Sequence, residues 1–537
     1  MPILTVSNED GGRQIPFVPG PSVREILENS GIRIRSSCRG NGACGLCLVR
    51  VEFGETHSLT RSEQILLSQE QIRDNIRFAC QVIPEKNLTI RIVGLPNKSD
   101  WRTMVSSEFS FPSPCSRQIP LSQPHRTVLG LSVDVGTTHI SLSLWDLGKA
   151  CRIAGRSGFN PQAAYGADVV SRLIAAQGSV SISRGIAEMT LGFISEGLRE
   201  MCIDNGLNPG LVGRVAVVGN TAMLLMLTHS DPAALLQPSG WTSRIDCRLE
   251  DPAEWIRILE TDPKSVIDVS APLAGFVGSD LLAGVLDTGL TGKPLSLLID
   301  FGTNSEIALW DGSRLWVTSA AGGPAFESSQ VKCGMPAEPG AICHVEQPAG
   351  SPDFQFEVIG GKEAKGICGS GLVDLIACLR QSGDLSETGR LNGPHAGTGF
   401  VIPGKNASLV LSHHDIDMFQ RAKAGIGAGI ETLLKTAQAK PSELNRVCVC
   451  GVFGRNLNVD NARAIGLLPH VAQERVELCG NTALAGCERL LTSPQEAGAM
   501  ERLRENASII NLSNDSYFES RFLENLFLCP MKDGVHG

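Results

Sequence analysis

The sequence predicts an α/β protein in two unlike parts, a small β-rich module at the front and a larger two-lobed body behind it. Three observations carry that prediction. An apolar strand running into D-x-G-T occurs twice, as Leu131-Ser-Val-Asp134-Val-Gly136-Thr137-Thr138 and as Leu297-Leu-Ile-Asp300-Phe-Gly302-Thr303-Asn304, and an internal repeat marks two like subdomains. Three cysteines crowd a glycine-rich stretch, Cys38-Arg-Gly-Asn-Gly-Ala-Cys44-Gly-Leu-Cys47, with Cys80 standing alone further on. Between these signatures, from Leu95 to Arg126, the pattern dissolves into Pro, Ser, Lys, Arg and Gln. The expected divisions are a front module over 1–94, a linker over 95–126, and lobes over 127–294 and 295–537.

Composition narrows the function. At 537 residues the chain exceeds one ordinary core, and 42% hydrophobic residues with 58 Gly fit globular α/β material. A net charge of −9 without a basic cluster argues against nucleic acid as the main partner. No apolar run reaches the length of a membrane span, and the opening residues lack the charged and apolar regions of an export signal. A cytoplasmic protein away from membranes is expected, and disulfides among its 17 cysteines are not. Most of these cysteines, including Cys202, Cys378, Cys448 and Cys450, read as small buried apolar residues.

In the front module, residues 2–6 and 13–18 read as a hairpin, 22–29 as a short helix, and 48–53 and 88–93 as strands. The cysteines follow C-x5-C-x2-C with a distant fourth. Zinc is the rival, since C-x2-C is half of a zinc knuckle, but zinc sites pair two short units. Three thiols plus one on a glycine-rich loop match a [2Fe–2S] site, with one residue added to the first gap. The outline resembles β-grasp ferredoxins of the plant and adrenodoxin types, which implies Cys38, Cys44, Cys47 and Cys80 as iron ligands.

For the linker two readings stand side by side. It is either an extended tether, spanning from about 30 Å if coiled to roughly three times that if stiff, or a stretch packed along the next domain.

In the body, each D-x-G-T runs at once into a second apolar stretch, residues 140–145 and 307–310, which reads as a hairpin. Gly136 and Gly302 let the backbone turn close to a ligand, and the Thr that follows offers an N–H and a hydroxyl, which suits polyphosphate. Facing hairpins would set Asp134 and Asp300 across one cleft, each able to hold Mg²⁺ directly or through water. Two further strands end in glycine before helical patterns, Val215-Ala-Val-Val-Gly219-Asn220-Thr221 and Val447-Cys-Val-Cys450-Gly451-Val-Phe453-Gly454. The order resembles the superfamily of actin, sugar kinases, acetate kinase and heat-shock ATPases. That resemblance implies ATP with Mg²⁺, phosphates gripped by Gly136, Thr137, Thr138, Gly302, Thr303 and Asn304, and adenosine near Gly451, Phe453 and Gly454.

Other stretches fill in the body. After Asn160-Pro161 the spacing is helical, and Asp168 and Arg172 stand four apart as an exposed ion pair. Gly369-Ser370-Gly371 opens an apolar helix whose N-terminus is a ready anion site. Of ten histidines none forms a metal motif, and His413-His414 looks like a helix-cap neighbourhood.

Taken together, a [2Fe–2S] ferredoxin followed by DVGTT, NPQ..YGADV..R, GNTA, DFGTN.E, AAG.PAFE, GICGSGLVD and GLLP resembles the reductive activators of corrinoid-dependent methyltransferases. The resemblance covers almost the whole chain. It implies an ATP-hydrolysing one-electron reductase that returns a corrinoid protein from Co(II) to Co(I). Its electrons would come from a low-potential donor such as a ferredoxin or flavodoxin, and a homodimer is implied. Asp134 and Asp300 would serve Mg²⁺ or the attacking water, with Glu306 and Glu327 as candidates to orient that water. Two departures stand out: Gly451-Val452-Phe453-Gly454 replaces a GGFG turn, and a separate middle domain is expected to be absent.

Two rival readings follow from the same residues: a small-molecule kinase of the superfamily with a ferredoxin attached, whose ATP use would not need the cluster, and a nucleotide-gated iron–sulfur sensor or scaffold without turnover.

Overall fold

The computed structural model describes residues 1–7, 12–30, 32, 34, 42, 47–67, 69–93, 101–104, 108, 128–166, 168–237, 240–247, 249–320, 326, 331–348, 350–351, 353–361, 363–402, 409–451, 453, 456–513 and 515–531. Cys38, Cys44, Glu327 and Gly454 lie outside the described residues, as does most of the linker.

The front module is a five-stranded sheet with short helices. Its elements are β1 (Ile3–Val6), β2 (Arg13–Pro16), α1 (Val23–Asn29), β3 (Leu48–Phe53), α2 (Arg61–Leu66), α3 (Gln69–Arg73), β4 (Ile76–Phe78) and β5 (Leu88–Ile92). The order is β2-β1-β5-β3-β4, with β1 and β5 parallel at its centre. Alternation puts Leu4, Val49, Val51, Leu88 and Ile90 on one face, where they bury against Ile26 and Leu27 of α1. Helix α1 starts at a capping box: Ser22 N–H donates to Glu25 at 2.7 Å and Ser22 Oγ accepts from Glu25 N–H. The hairpin, α1, β3 and β5 were expected; β4 and the Thr60-capped α2 were not, being too short to show a period.

The first lobe holds β6 (Arg102–Thr103), β7 (Leu129–Val135), β8 (His139–Asp146), β9 (Cys151–Phe159), α4 (Val169–Gly178), α5 (Val180–Asp204), β10 (Val212–Gly219), α6 (Thr221–Leu227), α7 (Pro252–Leu259), β11 (Val266–Val269) and α8 (Ser279–Thr288). Its sheet runs β11-β10-β7-β8-β9-β6. The edge strand β6 belongs to the stretch read as linker. Trp101 buries there, stacked on Phe193 with ring centroids 4.2 Å apart, and its Nε1 donates to Phe193 O. Of the two linker readings, packing on the next domain holds for residues 101–104, because an indole gains more by burial than a polar tether would. Cys151 forms a disulfide, against the expectation of none.

The second lobe holds β12 (Ser296–Phe301), β13 (Ser305–Trp310), β14 (Leu315–Ala320), β15 (Ala341–Glu346), β16 (Gln355–Val358), β17 (Gly366–Ile367), α9 (Gly369–Ser382), β18 (Phe400–Val401), β19 (Val410–Leu411), α10 (His413–Thr436), β20 (Arg446–Gly451), α11 (Val459–Ala464), β21 (Val476–Gly480), α12 (Thr482–Thr492), α13 (Pro494–Asn506), β22 (Ala507–Ile509) and α14 (Ser516–Asn525). Its main sheet runs β21-β20-β12-β13-β14-β22, so the order around the D-x-G-T hairpin repeats that of the first lobe. In both, the D-x-G-T strand pairs antiparallel with its hairpin partner on one side and parallel with a later strand on the other. His413 and His414 open α10 behind a Ser412–Asp415 capping box, as expected.

Helices α8 and α12 form the layer between the two sheets. Their apolar residues, Leu281, Leu282, Val285 and Leu490 among them, share one core with Ala216 and Val218 of the first sheet and Leu298 and Ala308 of the second. The helices approach closely enough that a Cβ on Gly486 would collide with the Ala283 backbone. Across the same seam Arg152 Nε donates to Glu488 Oε1 at 2.6 Å, both side chains buried.

Candidate active site and cluster site

The two D-x-G-T turns meet at this seam. Thr138 Oγ1 and Thr303 Oγ1 are 2.8 Å apart and hydrogen-bonded. Asp134 ends β7 opposite Ser141 of β8, and Asp300 ends β12 opposite Glu306 of β13, so the two hairpins present equivalent positions. Each is met by the first turn of a helix from the other lobe. Gly278 N–H, at the N-cap of α8, donates to Glu306 Oε1 at 3.4 Å, and Asn481, the N-cap of α12, donates from Nδ2 to Ser141 Oγ at 3.4 Å. Gly278 has no room for a side chain, since a Cβ would collide with Gly219 O and Asp280 Oδ1.

Four carboxyl groups gather here: Asp134, Asp280, Asp300 and Glu306. Burial, then Asp280 and Asp300, push Asp134 well above the ordinary carboxylate range. Burial, then the same two aspartates, do so for Glu306. Burial and Asp280 raise Asp300 to about 7, and burial raises Asp280 to about 6. Like charges held together out of water cannot all ionise without a cation. This donor set, hard oxygens and no soft atoms, fits Mg²⁺.

The first turn is anchored from below. Asn160 Nδ2 donates to Gly136 O at 2.8 Å and its N–H to Thr138 O, while Arg172 Nη1 donates to Thr137 O and Nε to Gly166 O at 2.8 Å. Arg172 is only 2% exposed, so the expected exposed ion pair with Asp168 is corrected: the turn's carbonyls need buried donors, and Asp168 instead caps α4 by accepting from Ser171 N–H. Gly302, Thr303 and Asn304 form the second turn, partly exposed like the first.

Gly451 ends β20 beside Phe301 of β12, with φ at +84°, and a Cβ there would collide with Phe301 O and Asp300 Oδ1. It backs the Asp300 carboxylate directly. Phe453 is buried among Phe301 and Phe326, with ring centroids 4.8 and 5.5 Å away, and supports the floor from the core side. Gly369, Ser370 and Gly371 are buried at the start of α9, where Ser370 Oγ donates to Cys343 O at 2.9 Å. Asp280 and Asn481 were not anticipated. The signal for Asn481 was present, since Gly480-Asn481-Thr482-Ala483 repeats Gly219-Asn220-Thr221-Ala222; Asp280 had no such copy.

In the front module the described ligand candidates are Cys47 and Cys80. A hydrogen bond from Cys47, with further ones from Gln81 and the Gly42 N–H, outweighs burial and lowers the Cys80 thiol to about 6. Thiols side by side, one readily ionised and met by a backbone N–H, fit an iron–sulfur centre. Just before Cys80, the Arg77 guanidinium grips fully buried Glu63, with Nε–Oε1 at 2.9 Å and Nη2–Oε2 at 3.0 Å.

Comparison with known proteins finds three family models along the chain. Residues 6–85 match the 2Fe-2S iron-sulfur cluster binding domain, 129–293 the RACo middle region, and 294–535 the C-terminal domain of RACo, the ASKHA domain. The expectation that the middle region is missing is therefore corrected: it is the segment read as the first lobe. The chain is 30% identical over 431 residues to the corrinoid activation enzyme RamQ of Eubacterium limosum, covering 76% of this chain and 71% of that one. It is 28% identical over 283 residues to the [Co(II) methylated amine-specific corrinoid protein] reductase of Methanosarcina barkeri, covering 49% of this chain and 50% of that one. Among solved structures, a reductive activator for corrinoid, iron-sulfur protein superposes with a TM-score of 0.68 at 25% identity, covering 98% of both chains.

Proposed function

The chain belongs to the reductive activators of corrinoid proteins, and from that membership we propose that it couples ATP hydrolysis at the seam between its lobes to one-electron reduction of a corrinoid protein from Co(II) to Co(I). The observation that carries the ATP reading is the carboxylate cluster placed between two hydroxyl-bearing turns, one from each lobe.

In this reading Asp134, Asp280 and Asp300 hold Mg²⁺ directly or through water, and Glu306, set by the Gly278 N–H, orients water. The Thr137–Thr138 and Thr303–Asn304 turns donate to phosphate, and Asn160 and Arg172 keep the first turn's carbonyls pointed away from the anion. Because Thr138 and Thr303 belong to different lobes, a phosphate bound to both ties the lobes together. Nucleotide then favours the closed arrangement by its better contacts there, which is the condition for driving a partner's conformation.

The iron–sulfur centre, on Cys47 and Cys80 with Cys38 and Cys44, supplies single-electron transfer when bound. Ferredoxin centres of this kind lie near −400 mV, and each ~59 mV uphill costs tenfold in equilibrium, which is why a nucleotide-driven step is needed. The donor is proposed to be a low-potential ferredoxin or flavodoxin, and the chain is proposed to work in the cytoplasm as a homodimer. The ATP reading is tested by phosphate release with Mg²⁺ and a Co(II) corrinoid protein. Asp300→Asn is expected to lower the rate by about a hundredfold or more, and an unchanged rate would overturn the assignment.

A further inference from the structure

Strand β20 carries Cys448 and Cys450 two residues apart, so both side chains leave the same face of the sheet. Its parallel neighbour β21 carries Glu477 opposite Cys448, and an irregularity follows: Val449 pairs with Leu478 but Cys450 with Gly480, so Cys479 is the extra residue. Such a bulge re-aims a side chain. Here it brings Cys479 to the other two, and the Cys448 and Cys450 thiols both hydrogen-bond to it. One ligand atom each from Cys448, Glu477 and Cys479 lies within 4.8 Å of the others.

We propose that Cys448, Glu477 and Cys479 form a second metal site in this chain, with Cys450 beside Cys479, one for a thiolate-seeking d¹⁰ cation of the Zn²⁺ class.

Tetrahedral zinc thiolates have Zn–S bonds of about 2.3 Å, which sets neighbouring sulfurs about 3.8 Å apart. The ligand atoms of Cys448, Glu477 and Cys479 lie within 4.8 Å of one another, about an ångström from that spacing, which side-chain rotation can close. The donor set is two soft sulfurs and one carboxylate, with the Cys450 thiol next to Cys479, unlike the all-oxygen set at the lobe seam. Glu477 is held by Arg446 at both oxygens, Nε donating to Oε1 at 2.7 Å and Nη2 to Oε2 at 2.5 Å, which fixes the carboxylate and leaves each oxygen a further lone pair for a cation. Cys448 and Cys450 are fully buried while Cys479 and Glu477 are partly exposed, which gives an ion its way in.

Burial of small apolar residues explains Cys202 and Cys378, each buried in a helix. It does not explain why two sulfurs meet one carboxylate at a bulge, with a third thiol alongside. The site's position gives it a purpose: β20 runs from Cys450 straight into Gly451, which backs Asp300. A cation joining β20 to β21 would fix that strand end.

The test uses the full chain with its iron–sulfur centre assembled, treated anaerobically with excess Zn²⁺ and freed of loosely held metal. Elemental analysis should find one zinc per chain in addition to the iron. The double variant Cys448→Ser/Cys479→Ser should lose the zinc and keep the iron. Glu477→Gln, at the exposed edge, should weaken Zn²⁺ at least tenfold against a chromophoric chelator, and it decides the matter if the double variant does not fold. Co²⁺ in place of Zn²⁺ should show thiolate charge-transfer absorption that the double variant lacks. Equal zinc in wild type and double variant, or a disulfide between Cys479 and either neighbour in the anaerobic protein, would overturn the proposal.

Discussion

The hydroxyls of Thr138 and Thr303, residues of different lobes, share a 2.8 Å hydrogen bond across the seam. In the proposed mechanism phosphate takes the place of that mutual bond. Replacing either by Val keeps the shape and removes a donor worth about 1 kcal/mol. Thr303→Val is expected to weaken ATP binding by roughly five- to tenfold, measured by calorimetry, while the visible spectrum of the iron–sulfur centre stays unchanged.

The carboxylate cluster predicts an unusual pH response. Asp300 is raised to about 7 and Asp280 to about 6. A carboxyl whose folded pKa exceeds its unfolded value of about 4 stabilises the fold while protonated, and that stability is lost as pH rises from there through the folded pKa. Without divalent cations, the Tm of the body should therefore fall between about pH 5 and pH 7.5. Mg²⁺ should raise it more at the upper end than at the lower, and Glu306→Gln should flatten the slope. A cation-free Tm that climbs through this range would contradict the cluster's charge balance.

Glu63 behaves in the opposite sense. Burial raises its pKa, but the Arg77 hydrogen bonds and the Thr60 and Phe78 N–H groups outweigh that and hold it low. Its contribution is present above the unfolded value of about 4.3 and is lost as pH falls through the folded value. Glu63→Gln leaves a buried guanidinium without its counter-charge, at a cost of about 3–5 kcal/mol. The front module should then lose its iron–sulfur absorption on mild heating or acidification, while ATP hydrolysis by the body persists.

Gly451 couples the two strands that frame Asp300. Gly451→Ala would place a methyl group against Phe301 O and Asp300 Oδ1 at a positive φ that alanine resists. Phosphate release should drop at least tenfold with the iron content intact. A variant with full activity would show that Asp300 is not held from this side.

Much of this arrangement was legible in the chain because it is duplicated. D-x-G-T appears twice, and the structure brings its two copies together. Asp280 was hidden because an acid at a helix start is ordinary until the fold shows it facing Asp134 and Asp300. Arg172 was misjudged for a related reason: spacing of four on a helix says which residues are neighbours but not that the helix lies over a turn with carbonyls to satisfy. The β6 strand, only two residues long, was invisible to periodicity, and the anchoring of the tether by Trp101 emerges only from the fold. The thiols of Cys448 and Cys450 read as core because the bulge that delivers Cys479 to them is a property of strand pairing, which local sequence does not report.

The central claim is that nucleotide drives an electron from the front module to a corrinoid. It is tested most directly by mixing the reduced chain with Mg-ATP and a corrinoid protein in the Co(II) state, without oxygen, and following the absorption of Co(I). The account predicts that the Co(I) band grows only when ATP is present and is lost in both Cys80→Ser and Asp300→Asn. A band that grows equally fast without ATP, or survives in both variants, would contradict it.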